Sequence, residues 1–229
     1  MFVPNAEQAT IEAPRQVRPF DQMVAILFKH MGSPAASLMH ASVGISGEAG
    51  ELVLAVATQD RTNIIEELGD ARFYVQAVLN MYGWDLEAFS PEDYKAADNM
   101  IVAAPVPGTL PSFIMAVSFQ VVAADVLDIV KKQWVYNKPL DEAALFDALG
   151  KLVSLYRGLL MLLSITEDTV QDHNRAKLAK RYPDGVYSDA DAVARADKTE
   201  PVLLPAEPAT MSNPAIEGNP PFIFTNNAA

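Results

Sequence analysis

Two pairs of acidic residues interrupt the most apolar segments of this chain and constrain its fold more than any other feature. Glu48 and Glu51 lie in the segment GISGEAGELVLAV, and Glu67 and Asp70 lie in the segment IIEELGDARFYV. On an α-helix, side chains three positions apart lie on nearly the same face. Each pair therefore points in one direction, and two such helices packed together would bring four carboxylates close to one another.

The residues around these acids are mainly apolar, and no basic residue stands four positions after any of them. Unpaired carboxylates that face each other repel and are costly to bury. The spacing leaves two interpretations open, a solvated polar face or a site for a divalent cation such as Mg²⁺, which prefers hard oxygen ligands. Small residues beside the acids would allow the close helix approach that a four-carboxylate cluster needs: Ala49, Gly50 and Gly69.

The rest of the pattern is helical. Apolar residues recur at helical spacing, as at Met23, Val24, Leu27 and Phe28. No convincing pair of strands stands out, so the sequence predicts an all-α fold. Helices are expected over residues 20–31, 38–57, 63–82, about 90–100, 112–133, 140–164 and 167–181.

A weak internal repeat divides the helical part in two. Setting Glu51 against Asp125 and Gly69 against Gly150 aligns two pairs of helices, with a longer loop in the second copy. We expect a tandem repeat that forms a pseudo-dimer, against the alternative that any two amphipathic helices align this well. The expected boundaries are an N-terminal arm (1–19), a first repeat (20–103), a linker (104–111), a degenerate second repeat (112–198) and a proline-rich tail, disordered or draped (199–229).

Composition excludes several classes of function. The formal net charge of −12 disfavours binding to long nucleic acid, because such a surface repels phosphate backbones. The lack of cysteine excludes disulfides, thiolate ligands and cysteine nucleophiles. No apolar run is expected to approach the ~18–20 residues that span a bilayer, and the N-terminus does not read as a secretory signal. We therefore expect a cytoplasmic protein without membrane contact, in the host cytoplasm if the chain is viral.

Both acid motifs, read with their flanks, resemble the MazG-like branch of the all-α nucleoside triphosphate pyrophosphatases, a superfamily that includes dUTPases and dCTPases. The stretch HASVGISGEAGELVLAV…NIIEELGDARFYVQAVL carries the family's E-x-x-E, spacer and E-x-x-D, and NRAKLAKRYPDG carries its N-x-x-K-L and R-Y-P-x-G ending. The resemblance implies hydrolysis of a (deoxy)nucleoside triphosphate to the monophosphate and pyrophosphate, which controls a nucleotide pool, as in phage members. It also implies a set of catalytic residues that bind Mg²⁺, with Mn²⁺ as a substitute: Glu48, Glu51, Glu67 and Asp70.

The chain departs from the family pattern because its acids and its basic ending lie about a hundred residues apart. At the acid positions the second repeat has Val122, Asp125, Ala148 and Lys151, so one working site per chain is expected. We expect the second half to complete this site with groups that bind the substrate phosphates, against the alternative of a solvated basic helix end. The predicted phosphate-binding residues are Lys131, Lys132, Asn174, Lys177 and Arg181.

Related enzymes are dimers, so self-association of the fused pseudo-dimer is also expected. The rival interpretation is a non-catalytic relative that binds a nucleotide or a partner protein as a regulator. The intact acids argue against this rival, while the degenerate second repeat leaves it open. Five aromatic residues are expected in the core, with stacking on the nucleobase as the alternative for one of them: Phe73, Tyr74, Trp84, Trp134 and Tyr136.

Overall fold

The computed structural model describes residues 18–89 and 111–198. Within these ranges it contains seven α-helices, two short 3₁₀ turns and no β-strand, so the predicted all-α fold is confirmed. The α-helices are α1 (Pro19–Leu27), α2 (Pro34–Thr58), α3 (Arg61–Tyr82), α4 (Pro111–Tyr136), α5 (Glu142–Leu163), α6 (Glu167–Arg181) and α7 (Asp189–Ala194). The 3₁₀ turns are Leu86–Ala88 and Ala196–Lys198.

Two helical hairpins share a common core. Helices α2 and α3 form the first hairpin, α4 and α5 form the second, and α2 packs against α4. Helices α1 and α6 both pack against α3. Buried apolar side chains from α1 through α6 belong to one continuous cluster. The predicted repeats therefore share a core, while their boundaries and their origin in a duplication stay predictions.

A two-residue turn fixes the α2–α3 hairpin. Gln59 adopts the left-handed conformation (φ 58°), and its N–H bonds the carbonyls at the end of α2. Asp60 begins α3 by accepting a hydrogen bond from the Asn63 N–H at 3.1 Å. Such caps satisfy backbone groups that have no partner inside a helix. The two acid motifs consequently lie on adjacent antiparallel helices.

Helix α6 is fixed against α3 by a buried polar network. Arg72, which is only 2% exposed, donates to Glu167 at 3.1 Å and to Gln76 at 2.7 Å. A Cβ atom at Gly69 would lie 3.1 Å from the Cβ of Asn174, so a glycine lets the two helices approach closely. Because buried polar groups with partners favour one arrangement, this network places the predicted basic ending against the second acid motif.

Helix α4 corrects one expectation from the sequence. An 18-residue window within Pro111–Tyr136 has a mean hydropathy of 2.0, so by length and composition this helix could cross a membrane. The expectation that no apolar run approaches that length is therefore wrong. In the structure α4 packs against α2 and α5, and 44% of the window is buried.

Several other details differ from the prediction. Helix α1 ends at Leu27, because Phe28 turns to an extended conformation (ψ 125°) and packs into the core. Helix α7, which Ser188 caps, was not predicted. Trp134 and Tyr136, expected in the core, are 52% and 60% exposed near the end of α4. The predicted elements outside the described residues are the helix at 90–100, nearly all of the linker at 104–111, and most of both tails.

Candidate metal centre

The two acid motifs meet between α2 and α3. One carboxylate oxygen from each of Glu48, Glu67 and Asp70 lies within 4.8 Å of the others. Glu67 is 4% exposed, and the other two side chains are partly buried. The cluster offers oxygen ligands from both helices and includes no nitrogen or sulfur ligand. This donor set fits a hard divalent cation such as Mg²⁺ or Mn²⁺.

Without a cation, these carboxylates disfavour one another's charged form. Burial raises the pKa of Glu67 above its usual range, and Glu48 and Asp70 raise it further. Burial also raises the pKa of Glu48, together with the charge of Asp70. A hydrogen bond links Glu48 and Glu67, and such a bond between two carboxyl groups requires a proton on one of them. A cation in this position would replace that proton.

An aromatic ring lies beside the acids because α2 and α3 approach closely. Tyr74 packs against α2 at Gly44, where a Cβ atom would lie 2.6 Å from the ring. Burial, with a further contribution from Glu48 and Asp70, raises the pKa of Tyr74 to about 12. The phenol is therefore neutral at physiological pH and keeps its proton for donation.

Helix α6 contributes two polar side chains that hold Asp70 in place. The Asn174 amide nitrogen donates to one oxygen of Asp70 at 2.8 Å, and the Lys177 ammonium contacts the other oxygen. Asn174 and Lys177 are 1% and 3% exposed. Charge-assisted hydrogen bonds in a buried site are among the strongest that proteins form. Both oxygens of Asp70 are thus oriented by groups from the second half of the chain.

Glu66, next to the cluster on α3, is held in its ionised form by two lysines. Burial acts to raise its pKa, but hydrogen bonds from Lys177 and Lys198 outweigh burial and lower the pKa to about 2. Lys177 and Lys198 donate to the same Glu66 oxygen at 2.8 and 2.6 Å. Glu66 thus holds two lysines beside the cluster.

A cavity of about 520 Å³ opens beside the carboxylates. At its acidic end lie the Glu48, Glu67 and Asp70 cluster and Glu66. Aromatic side chains form much of the remaining wall, and cationic side chains of Lys29, Arg181, Arg195 and Lys198 also face it. The aromatic residues that line it are Phe28, His40, Phe73, Tyr74, Tyr182 and Tyr187.

The remaining predicted site residues divide into two groups. Glu51 and Arg181 line the cavity, although Glu51 is exposed and does not belong to the three-carboxylate cluster. Lys131 and Lys132 do not line it, and both form ion pairs with Asp128 on their own helix, the second at 2.8 Å. The role of these two lysines in phosphate binding stays a prediction, and their position gives it no support.

Sequence reasoning missed four residues that belong to this region. Arg195 and Lys198 line the cavity, Asp197 binds Arg181, and Lys29 lies 5.4 Å from the centre of the Tyr187 ring. All but Lys29 lie in the segment that follows R-Y-P-x-G, where no spacing rule marks them. Their position in a polar stretch made them resemble ordinary solvated charges.

Comparison with known proteins supports the first half of this site. Residues 38–90 match the family model of the MazG nucleotide pyrophosphohydrolase domain. The predicted resemblance is confirmed for this segment, which contains both acid motifs. Helix α6, with Asn174 and Lys177, lies outside the matched segment. No curated protein and no solved structure matches the chain.

Proposed function

We propose that this chain, which carries a MazG domain, hydrolyses a (deoxy)nucleoside triphosphate between the α and β phosphates, giving the monophosphate and pyrophosphate. One observation supports the proposal above all others. The carboxylates of both motifs converge at one end of a cavity whose remaining wall is mainly aromatic and cationic. Such a cavity has an anchor for the phosphates and a surface for the base.

The proposal requires a divalent cation, and the residues present fit one. Glu48, Glu67 and Asp70 would hold it, with Glu51 at the exposed edge of the same cavity. The raised pKa values of Glu48 and Glu67 arise from burial and from the neighbouring carboxylates, whose negative charge a cation would neutralise. When bound, Mg²⁺ or Mn²⁺ supplies charge neutralisation at the phosphate oxygens and Lewis-acid activation.

The protein groups around the cluster have separable roles. Asn174 and Lys177 orient Asp70, so that a ligand oxygen is preorganised before the substrate binds. Glu66 is a poor candidate for the general base, because its two lysine partners lower its pKa to about 2.

The aromatic wall gives the base a place to stack. The Phe28 and His40 rings stack with centroids 4.9 Å apart, and Tyr182 lies 5.5 Å from Tyr187. Aromatic faces of this kind bind the flat surface of a nucleobase. Control of a cellular or viral nucleotide pool is the role that we propose for this activity.

Pyrophosphate release from a panel of ribo- and deoxyribonucleoside triphosphates, with Mg²⁺ and with EDTA, tests the function. We expect cation-dependent release from the wild type, and loss of it in Glu51→Gln. The matched control is Asp125→Asn, an exposed acid at the repeat position corresponding to Glu51, which should keep wild-type turnover. Near-wild-type turnover of Glu51→Gln would remove that residue from the site. Triphosphate binding without release from any substrate would instead support the regulator.

A further inference from the structure

We propose that residues 195–198 form a phosphate-binding strap, in which Arg195 and Lys198 contact the β and γ phosphates. The buried pair of Arg181 and Asp197 holds this strap in place. The inference rests on the proposed function, because it assigns the part of the site that receives the pyrophosphate portion of the substrate.

The anchor of the strap is a bidentate ion pair. Arg181 donates from Nε and Nη2 to the two oxygens of Asp197 at 2.7 and 2.6 Å. Asp197 is 4% exposed, and burial acts to raise its pKa, but the hydrogen bonds from Arg181 lower it overall. The pair is therefore charged, and planar bidentate pairs of this kind fix orientation as well as distance. Arg181 thus attaches the end of α6 to the 3₁₀ turn Ala196–Lys198.

The strap brings Lys198 next to the carboxylates. Its ammonium lies 2.6 Å from the Glu66 oxygen that also accepts from Lys177, and Lys177 in turn contacts Asp70. Glu66 therefore accepts from two ammonium groups, and the two lysines balance the charges of Glu66 and Asp70. Lys198 is exposed, so its outer side remains accessible to a ligand in the cavity.

Arg195 begins the strap at the C-terminal end of α7. Its φ of 47° is left-handed, and its N–H donates to the Asp191 carbonyl, which is a common way for a helix to end. The Arg195 side chain lines the cavity and forms no ion pair with any residue of 18–89 or 111–198. Its guanidinium is available to bind a phosphate in bidentate geometry.

The other cations near the cavity are already committed. Arg181 binds Asp197, Lys29 binds Asp189, and Lys177 is buried between two carboxylates. A triphosphate carries several negative charges, and the divalent cations must also balance the protein's own carboxylates. Arg195 forms no ion pair within the described ranges, and Lys198 is exposed and shares its Glu66 partner with Lys177. These two are therefore the cationic groups best placed to supply the remaining charge.

Calorimetric titration with a non-hydrolysable α,β-methylene deoxynucleoside triphosphate, in Mg²⁺, tests the strap. We expect Arg195→Ala and Lys198→Ala each to weaken binding about tenfold. Binding of the corresponding monophosphate should change less than about twofold, since it lacks the phosphates that the strap contacts. Lys180→Ala, an exposed lysine on α6 that does not line the cavity, is the control and should bind as the wild type does. Wild-type affinity in both strap variants would overturn the proposal.

For Asp197→Asn, two explanations predict opposite changes in triphosphate affinity. Removing a negative charge near the cavity should by itself strengthen binding of an anion, and it would also free Arg181 for direct contact. The strap predicts weaker triphosphate binding, about tenfold, because Arg195 and Lys198 lose their anchor. Unchanged or tighter binding would reject the anchor, while failure of the wild type to bind any triphosphate would reject the proposed function as well. Hydrolysis by the wild type together with unaffected strap variants would reject the strap alone.

Discussion

Replacing Lys177 should lower the thermal stability of the protein when no cation is bound, and it should also lower the activity. Lys177 is 3% exposed and contacts carboxylates of Asp70 and Glu66. Removing one partner of a buried ion pair costs about 3–5 kcal/mol, because it leaves uncompensated charge behind. Here each carboxylate keeps a second donor, Asn174 or Lys198, so the lower end of that range applies.

A loss of about 3 kcal/mol corresponds to a fall in Tm of roughly 6–12 °C for a chain of this size. We therefore expect Lys177→Met to melt about 6–12 °C below the wild type in EDTA, measured by calorimetry or circular dichroism. In saturating Mg²⁺ the difference should shrink to less than half, because a cation at the cluster compensates part of the exposed charge. The matched control is Lys180→Met on the exposed side of α6, which should change Tm by less than about 2 °C.

The same variant should lose activity without losing its cation. One charge-assisted contact is worth roughly 1.5–3 kcal/mol, so kcat/KM should fall at least about tenfold. Mg²⁺ affinity should persist or increase, since the ammonium no longer competes for Asp70. If Lys177→Met matched Lys180→Met in both Tm and kcat/KM, the role of α6 would be structural, and the residues of the basic ending would no longer be assigned to the site.

Three further predictions follow from other contacts. Burial raises the pKa of Glu67 from 4.5, so in EDTA the folded chain binds more protons there than the unfolded chain does. The Tm should therefore fall as the pH rises above about 4.5. Glu67→Gln should flatten this dependence of Tm on pH and abolish turnover. Gly44→Ala should destabilise the protein by about 1–3 kcal/mol in urea unfolding, because a Cβ there meets the Tyr74 ring at 2.6 Å. Gly47→Ala, with nothing within 4 Å, should instead stabilise the helix by about 0.5–1 kcal/mol, and equal effects of the two would refute the contact. Titration with a non-hydrolysable triphosphate and Mg²⁺ should give one site per chain, and a stoichiometry near two would show that the second repeat still binds.

The sequence could predict those features that depend on the spacing of nearby residues. The pairs Glu48 with Glu51 and Glu67 with Asp70 follow helical periodicity, and that periodicity also located the long helices. Even so, spacing does not determine which members meet: Glu48, Glu67 and Asp70 cluster, while Glu51 lies at the exposed edge. The rotation of α2 against α3 decides this, and packing at Gly44 helps to set the approach of the two helices.

The features that the sequence could not predict depend on how distant segments pack. Asn174 and Lys177 were expected at the site as phosphate-binding groups, but their contacts with Asp70 depend on the docking of α6 on α3, which no local pattern specifies. Lys131 and Lys132 were placed by alignment to the family, but their helix directs them to Asp128. An alignment gives the position of a residue along a helix and leaves its neighbours undetermined.

The contact between Lys177 and Asp70 also has a consequence for the order in which the site forms during synthesis. The two residues are 107 positions apart in the chain. At translation rates of about 5–20 residues per second, Asp70 and Glu66 emerge roughly 5–20 s before the lysine that neutralises them. During that interval the α2–α3 hairpin carries its acids without their protein partner. Closure of the site on the ribosome is therefore a late event, and free divalent cations are the counter-charge available to the nascent hairpin until α6 arrives.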